Sequence, residues 1–462
     1  MNLLLVVIDS LRKSSLDRRS DGSSRAPFLD QLGKESMSFS RAYASECWTL
    51  PAHLSMFTGL LPSQHGAHFQ TMAYRRQEPT IAEILAAAGY ATEVITRNSV
   101  FDGSLPGVTR GFAARTSPLA ELRPGLGSLF SALLALAKPR VRRLIRDSGF
   151  FHAIQKDSGS FLSTLVRMGI PADDLALGVT LERMEQHRRA RRPYFLFVNL
   201  YDVHAPYSPS PGSPLRRCDS LASIAENLAL PWLLPKISSH AYLRPDFRLP
   251  ERHRHMLLER YHQAIELVDG KLARFYAEAS SAGLLDDTLL IVTSDHGEGF
   301  GEHGLYLHDA SVYETHLHVP LWVRHPALAP ARVDDVVSTR DLFGLMQAAV
   351  QRAGVSGTIL DPAFRRQHPV ALAEHFHYPH TDGLLRQFRQ NLAAAIFEQR
   401  KIVRRGDHLE VYDLVRDPGE TCPERHSLSD VAALSRSRGL SPVDSERLAA
   451  HLARPVATRW AA

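Results

Sequence analysis

Residues 288–298, TLLIVTSDHGE, place a run of apolar residues directly before a group of polar ones. The apolar part, TLLIV, has the length and composition of a buried β-strand. Ser294, Asp295 and His296 follow where this strand ends, and Glu298 comes shortly after them. Because the ligands of open parallel sheets bind beyond the carboxyl ends of the strands, this stretch predicts a strand that carries part of a functional site.

Three other apolar runs of strand length end in the same way. Each is followed by a carboxylate, an amide or an imidazole that would reach the same edge of a sheet. A single polar residue there is more often a turn former or a helix cap, but four such strand ends together favour a site. The runs, with the polar residues that follow them, are Asn2–Ile8 with Asp9, Ala91–Thr96 with Asn98, and Tyr194–Leu200 with Asp202 and His204.

Helical patterns separate these runs. Thr80–Ala88 has helical spacing and stops at Gly89, and Arg260–Ala279 repeats apolar residues at helical steps. Strands that are apolar throughout and alternate with helices are typical of a mainly parallel sheet covered on both faces, so the predicted class is α/β. Val319–Val323 is predicted to be a further strand. Its Pro320 favours a position at an edge of the sheet.

The composition excludes several classes of protein. The chain has 462 residues, of which 44% are hydrophobic and 22% charged, which is ordinary for a globular protein. No apolar run approaches the roughly 18 residues that a membrane-spanning helix needs, so a polytopic membrane protein is excluded. The net charge of +5 suits an anionic small substrate, and no run is basic enough to indicate nucleic acid.

The N-terminus and the cysteines predict a cytoplasmic protein. Residues 1–8 lack the basic stretch, the long apolar core and the cleavage site of a signal peptide, and are interpreted as the first strand. Cys47, Cys218 and Cys422 are too few for a disulfide framework and fit no zinc spacing. Free thiols agree with a reducing compartment.

Two domains are predicted. Residues 1–345 form the catalytic domain, and residues 346–462 form a smaller C-terminal subdomain and tail. Residues 114–190 hold few strand signals and are interpreted as a helical insertion that caps the core. Within them, residues 126–146 are amphipathic and basic. The alternative interpretations of this segment are a lid and a peripheral membrane contact. The C-terminal part predicts a small second sheet with a closing helix, from Val370–Ala373, Ala393–Phe397, Lys401–Val403, Val411–Leu414 and Ser445–Leu452.

Asp9, Asp295 and His296 form a candidate metal site at the predicted sheet edge. Hard carboxylate oxygens suit Mg, Ca or Mn, and an added imidazole shifts the preference toward Mn or Zn. We therefore expect a divalent metal ion (Mn, Ca or Zn) as the cofactor.

Residues 45–66, SECWTLPAHLSMFTGLLPSQHG, contain the candidate nucleophile. Thr49 stands just before Pro51, at the predicted start of a helix. It is either only the N-cap of that helix, or its hydroxyl sits on a metal at the positive helix end and acts as a nucleophile. His53 lies one turn further on and faces the same end. The cluster of strand ends favours the second interpretation.

Five segments, in order from residue 2 to about 425, resemble the sulfatase family of the alkaline-phosphatase superfamily. The resemblance implies an alkaline-phosphatase-like three-layer sandwich with a mainly parallel central sheet and a smaller C-terminal subdomain. The segments are LLVVIDSLR at the first strand, Cys47–Gly66 at the nucleophile, YFLFVNLYDVHAPY at 194–207, LLDDTLLIVTSDHGEGFGEHG at 284–304 continued by Ser311–Arg324, and VYDLVRDPGET at 411–421.

The resemblance implies a role for each matching residue. Asp9, Asp295 and His296 would bind the metal. Thr49 would be the nucleophile and a further metal ligand. His53 stands in the place of the family's signature arginine and would contact the nucleophile or the substrate oxyanion.

Three more histidines match family positions. His204 would bind the ester oxygens or protonate the leaving group. His308 stands where many members have a lysine that touches the transferred group. His303, in the GEHG turn, would lie behind the residues that touch the substrate.

The chain departs from the family at the nucleophile. Typical sulfatases oxidise a Cys or Ser within C/S-x-P-x-R to formylglycine, but Thr49 occupies that place. Threonine cannot form the aldehyde because its β-carbon carries a methyl group, and Cys47 stands too early, so no formylglycine is expected. Ser10 replaces the second of the family's paired aspartates, and His296 replaces the commoner Asn. A hydroxyl nucleophile with an Asp/Asp/His metal set looks more like the phosphoesterase branch of the superfamily.

These features predict a metal-dependent hydrolase that cleaves a sulfate- or phosphate-type ester through a covalent threonine intermediate. A phosphoester or phosphonate ester is favoured over a sulfate ester. The partner would be a small anionic ester, with no nucleic acid and no transmembrane segment, and the oligomeric state is left open. The alternatives are an arylsulfatase-like sulfuric ester hydrolase, a phosphoryl-group transferase of the same superfamily, and a catalytically inactive binding protein.

Overall fold

A computed structural model describes residues 1–117, 172–207, 237, 243–244, 246–308, 310–351, 354–377, 388–437 and 440–453. The predicted insertion is covered only at its ends, and residues 126–146 lie outside the described residues. The division of the chain at residue 345 stays a prediction. None of the described helices is both long and apolar enough to cross a membrane.

The described strands group into a large central sheet, a C-terminal sheet and a short hairpin. They are β1 (Asn2–Ile8), β2 (Met37–Tyr43), β3 (Ala91–Thr96), β4 (Ala114–Thr116), β5 (Tyr194–Leu200), β6 (Thr288–Thr293), β7 (Gly299–Phe300), β8 (Tyr306–Leu307), β9 (His318–Arg324), β10 (Ala331–Ser338), β11 (Val370–His375), β12 (Leu392–Phe397), β13 (Arg400–Arg405), β14 (His408–Asp413) and β15 (Glu424–Ser427).

The described helices lie between these strands and after them. They are α1 (Pro27–Lys34), α2 (Thr49–Thr58), α3 (Pro62–His65), α4 (Ile81–Ala87), α5 (Ala172–Arg189), α6 (Glu251–Ser281), α7 (Glu314–Leu317), α8 (Leu342–Gln351), α9 (Pro362–Gln367), α10 (Val431–Ser437) and α11 (Pro442–Ala453). The predicted helix ending at Gly89 is confirmed as α4, whose N-cap Thr80 accepts the N–H of Glu83.

The central sheet has eight strands in the order β10-β2-β9-β6-β1-β5-β3-β4. All neighbouring pairs are parallel except those made by β9, which runs antiparallel to β2 and β6. The α/β class with a mainly parallel sheet is therefore confirmed. The first strand lies at the centre, between β5 and β6, so its C-terminal end meets those of both neighbours.

The edge position predicted for the strand around Pro320 is wrong. β9 lies inside the sheet, between β2 and β6. Its ladder with β2 skips two residues of that strand between Phe39 and Ala42, and its ladder with β6 begins at Leu321. Pro320 therefore falls opposite a bulge on one side and just beyond the paired residues on the other, so its missing N–H breaks no ladder hydrogen bond.

Alternate side chains of β1 enter two hydrophobic clusters on opposite faces of the sheet. One face of β1 packs with a cluster that includes Leu54 and Phe57 of α2. The other packs with a cluster that includes Ile265 and Leu272 of α6. Helices thus cover both faces of the sheet, which gives the three layers that the resemblance implies.

The predicted small second sheet is confirmed. Strands β11 to β15 form an antiparallel sheet in chain order. The predicted closing helix is α11, which buries Leu448 and Leu452 in a separate cluster with this sheet. Ala371, Ala394 and Ile396 of the same sheet join the main core, so the sheet is packed on both sides.

Candidate active site

The ends of β1 and β6 bring the three predicted metal ligands together. His296 Nε2 lies 3.3 Å from Asp295 Oδ2 and 3.9 Å from Asp9 Oδ1. All three side chains are buried, and one donor atom of each lies within 4.8 Å of the others. The three donor atoms are close enough to coordinate one ion.

Asp9 is oriented by three hydrogen bonds to its carboxylate. Asn98 and Asn199 each donate a side-chain N–H to Oδ2, at 3.0 and 3.2 Å. Ser10 Oγ donates to Oδ1 at 3.1 Å. Thr96 Oγ1 donates to Asn199 Oδ1 at 3.0 Å, which turns the amide nitrogen of Asn199 toward Asp9. Asp9 is thus held from the ends of three adjacent strands, β1, β5 and β3.

Asp295 has one carboxylate oxygen without a hydrogen bond. Its Oδ1 accepts the backbone N–H groups of Ser10 and His296 at 3.1 and 3.0 Å. Its Oδ2 is buried and has no hydrogen-bond partner among the described residues. His53 Nδ1 lies 3.5 Å away, but its proton is donated to the Thr49 carbonyl. Such an oxygen is costly to bury unless a cation satisfies it.

His296 presents an unprotonated nitrogen to the two carboxylates. Its Nδ1–H donates to the Gly297 carbonyl at 3.0 Å. Burial lowers the pKa of His296 to about 4, so the ring is neutral near pH 7 and its lone pair lies on Nε2. The backbone carbonyl therefore selects the tautomer that a metal ligand needs.

The two carboxylates are buried side by side. Burial raises the pKa of Asp9 and of Asp295 to about 7, and for Asp9 the neighbouring Asp295 adds to this effect. Both groups therefore resist ionisation unless a cation neutralises them. Two carboxylates, a neutral imidazole and one unsatisfied oxygen together fit a divalent metal ion, and this donor set is typical of Mn or Zn.

Thr49 faces this cluster from the start of α2. The N-cap position is taken by Trp48, and the Thr49 side chain does not cap the helix. Its Oγ1 lies 3.3 Å from His296 Nε2. Because His296 carries its proton on Nδ1, the threonine hydroxyl is the donor in this contact. The hydroxyl is therefore directed at the metal cluster and not at the helix backbone.

His53 packs beside Thr49 in an aromatic pocket. Its Nδ1–H donates to the Thr49 carbonyl at 2.8 Å. The rings of Phe101 and Phe197 meet it edge-on, at centroid distances of 5.0 and 5.4 Å. Burial lowers the pKa of His53 to about 3, so the side chain is neutral. The contact expected between His53 and the nucleophile is thus made to the backbone of Thr49.

Two further histidines form a row with His296. The ring of His308 lies 4.5 Å from that of His296 and 4.8 Å from that of His204. Glu298 Oε1 accepts the Nδ1–H of His308 at 3.1 Å. His204 stacks on Tyr201 at a centroid distance of 4.2 Å. His308 thus contacts the metal cluster through His296, and His204 is its next neighbour.

Two other polar residues near the strand ends have different neighbours. Asp202 accepts hydrogen bonds from Arg97 Nη2 and Lys271 Nζ, both at 2.7 Å, and forms part of a buried ion-pair network. His303 stacks on Tyr313 at 3.7 Å. Neither is placed among the three candidate metal ligands.

The contributions of Asn199 and Glu298 are not evident from the strand pattern. Asn199 is the amide within the otherwise apolar strand YFLFVNL. A polar side chain at such a position signals a buried partner, and here the partner is Asp9. Glu298 lies near a strand end in the sequence, but its pairing with His308 follows from the hairpin of β7 and β8, which returns the chain to the site.

The chain belongs to the sulfatase family, because the family model Sulfatase matches residues 1–350. It is therefore a member of a family of metal-dependent ester hydrolases. Among the described residues, two buried groups have the composition to hold such a metal, and Asp9, Asp295 and His296 form one of them.

Several curated relatives carry sulfatase or related names. Choline-sulfatase of Rhizobium meliloti (strain 1021) is 25% identical over 389 residues, 80% of this chain and 73% of the relative. Iduronate 2-sulfatase of Homo sapiens is 24% identical over 340 residues, 70% of this chain and 59% of the relative. A multifunctional alkaline phosphatase superfamily protein, PehA, of Trinickia caryophylli is 23% identical over 344 residues, 66% of this chain and 64% of the relative. The matches thus span less than two thirds of the length of two of these relatives.

Solved structures confirm the fold. The phosphonate monoester hydrolase of Silicibacter pomeroyi superposes with a TM-score of 0.63 at 19% identity, over 98% of this chain and 96% of that one. The phosphonate monoester hydrolase of Agrobacterium radiobacter gives a TM-score of 0.63 at 20% identity, over 98% and 97%. Nearly the whole chain therefore shares the sulfatase and phosphonate hydrolase architecture.

Proposed function

We propose that the chain hydrolyses a phosphate- or phosphonate-type ester through a covalent intermediate on Thr49, in preference to a sulfate ester. The observation that carries this proposal is the Thr49 hydroxyl, 3.3 Å from His296 Nε2 at the candidate metal cluster. A side-chain hydroxyl at the N-terminal end of a helix, beside a cluster that fits a cation, suits attack on an anion.

Thr49 attacks phosphorus in line with the leaving oxygen. The new Thr49 O–P bond forms as the bond from phosphorus to the leaving alcohol breaks. A bound divalent metal held by Asp9, Asp295 and His296 would lower the pKa of the Thr49 hydroxyl and neutralise charge on the transferred group. Water then attacks phosphorus as the Thr49 O–P bond breaks, the histidine that protonated the leaving alcohol takes up the proton of the water, and phosphate or phosphonate leaves with the Thr49 oxygen restored.

His308 is better placed than His204 to protonate the leaving oxygen. Its Nδ1–H is held by the Glu298 carboxylate, which orients the ring and stabilises the imidazolium form. The Nδ1–H of His204 is held by the neutral carbonyl of Ala205, at 2.7 Å. His204 therefore acts on the ester oxygens, and His308 supplies the proton.

The chemistry of the nucleophile favours phosphorus over sulfur. A formylglycine hydrate releases sulfate by elimination through its second hydroxyl, whereas Thr49 has only one. A sulfo-threonine would need water attack at sulfur, but a phospho-threonine is cleared by in-line attack of water. Two solved structures that share the fold over nearly the whole chain carry the name phosphonate monoester hydrolase, and this supports the preference. The expected substrate is a small anionic ester in the cytoplasm.

The proposal is tested by kcat/KM for matched p-nitrophenyl phosphate, phenylphosphonate and sulfate esters, with Mn, Zn and Ca in turn. Thr49→Ala is the blank, and Thr49→Ser is the matched control that keeps a hydroxyl. We expect the phosphorus esters to be preferred, and the acid-quenched enzyme to carry a phosphoryl group on the Thr49 peptide. A preference for the sulfate ester that Thr49→Ala abolishes would contradict the proposal. Transfer of the phosphoryl group to an added alcohol, instead of to water, would identify a transferase.

A further inference from the structure

A second cluster of metal-ligating side chains lies next to the active site. Glu46 and Cys47 belong to the loop between β2 and α2, and His375 is the last residue of β11. All three are buried, with exposed fractions of 1%, 0% and 1%. Residues far apart in the chain thus bring a carboxylate, a thiol and an imidazole together.

The three donor atoms form a compact triangle. Glu46 Oε1 lies 2.9 Å from His375 Nδ1 and 3.3 Å from Cys47 Sγ. The distance between Cys47 Sγ and His375 Nδ1 is 3.7 Å. Around a tetrahedral zinc ion with ordinary bond lengths, the nitrogen and oxygen would be about 3.3 Å apart, and sulfur would be about 3.5 Å from either. The observed spacings lie within about 0.4 Å of these, so an ion fits with small side-chain shifts.

The charges of the cluster match those of a divalent cation. A Cys47 thiolate and a Glu46 carboxylate together carry the two negative charges that neutralise Zn²⁺, and neutral His375 adds a third bond. Among the described residues no Lys or Arg pairs with Glu46, whose ion-pair partner is His375. Glu46 Oε1 also accepts the backbone N–H of Cys47 at 3.0 Å, and a metal ion would add the full positive charge that a neutral His375 does not supply.

The surroundings close this cluster and connect it to the nucleophile. Trp48 stacks on Phe69 at 3.9 Å, and the edge of Phe69 meets His375 at 6.2 Å. The Glu374 N–H donates to the Ser45 carbonyl at 2.9 Å, which ties the loop to β11. An ion here would fix the loop that leads directly into Thr49.

We propose that Glu46, Cys47 and His375 bind a structural zinc ion that joins the nucleophile loop to the C-terminal sheet. On binding, the Cys47 thiol gives its proton to solvent, and His375 keeps one proton on Nε2 and binds through Nδ1. Thiolate and imidazole ligands favour zinc over the harder cations. This site differs from the Asp9, Asp295 and His296 cluster by its sulfur ligand.

Cobalt is the probe, since Co²⁺ bound to a thiolate gives a charge-transfer absorption that oxygen and nitrogen ligands do not. The full chain is produced in cobalt-supplemented medium, so that a buried site fills during folding. We expect the charge-transfer band and two cobalt ions per chain in the unaltered protein. Asp295→Asn should lose one ion and keep the band, whereas Cys47→Ser should lose one ion together with the band.

The matched control is the double variant Cys218→Ser, Cys422→Ser, which should keep the band because Cys47 is its source. A band that survives Cys47→Ser, or a folded unaltered protein that takes up cobalt without the band, would overturn the proposal. If Cys47→Ser does not fold, the cobalt content and the absorption band of the Asp295→Asn protein alone test the proposal. One cobalt with a thiolate band supports the site, and the absence of the band refutes it.

Discussion

Replacing Asp295 by asparagine tests whether burial raises the pKa of both carboxylates in the candidate metal site. Burial raises the pKa of Asp9 and Asp295 from 3.8 to about 7 in the folded chain. Between these two values the folded state binds more protons than the unfolded state. Stability is therefore fully present below the unfolded pKa and is lost as the pH rises through the folded pKa. These two carboxylates should thus contribute less to the stability of metal-free protein at about pH 8 than at about pH 5.5.

The size of this loss follows from the width of the pH interval. From about pH 5.5 to the folded pKa of about 7, each carboxylate loses about 2 kcal/mol of stability, at about 1.4 kcal/mol per unit. The two carboxylates of the unaltered protein together lose about 4 kcal/mol. Asp295→Asn leaves Asp9, whose pKa is raised chiefly by burial, so the variant should lose about 2 kcal/mol less stability over this interval than the unaltered protein does.

The assay is urea unfolding of chelator-treated protein at the two pH values, followed by far-ultraviolet circular dichroism. Glu93→Gln is the matched control, because this carboxylate of β3 is also buried but is paired with Arg183 at 3.1 Å. The control should destabilise the protein and keep the full pH dependence. If the unaltered protein and Asp295→Asn show the same pH dependence, the raised pKa of the buried Asp295 carboxyl is wrong.

Three other predictions concern the same site. Thr49→Ala should lower kcat by roughly 10³-fold or more without loss of bound metal, whereas Thr49→Ser should keep part of the activity. Steady-state kinetics measures the change in kcat, and elemental analysis measures the bound metal. Asn199→Ala should weaken metal binding about 10- to 100-fold, because the amide orients Asp9; a calorimetric titration that gives unchanged affinity would speak against this role. Glu298→Gln should slow the release of a poor leaving group, such as methanol, more than that of p-nitrophenol, because Glu298 supports the acid His308. Equal effects on the two esters would contradict the role of His308 as the acid that protonates the leaving oxygen.

The parts of the fold that local sequence determines are the parts that can be predicted from it. The runs Asn2–Ile8, Ala91–Thr96 and Tyr194–Leu200 are apolar throughout because both faces of the sheet are covered, and their bounds agree with the structure. Pro320 misleads because its tolerance inside the sheet depends on a bulge in another strand, β2, which no local pattern reveals.

The candidate site divides in the same way. Asp9, Asp295 and His296 follow apolar strands, and parallel neighbours bring such ends together, so their proximity can be predicted. Cys47 fits no zinc spacing in the sequence, because its candidate co-ligand His375 comes from another sheet. Such a juxtaposition depends on tertiary packing, which spacing rules do not represent.

The central position of β1 has a consequence for how the chain is made. This strand precedes both of its hydrogen-bonding neighbours in the chain, and β5 and β6 start only at Tyr194 and Thr288. A growing polypeptide therefore carries an apolar strand with two open edges until β5 is made and with one open edge until β6 is made, which invites aggregation and a need for chaperones. Such distant parallel pairing also makes refolding slow. Asp9 can meet Asp295 and His296 only after β6 has been made.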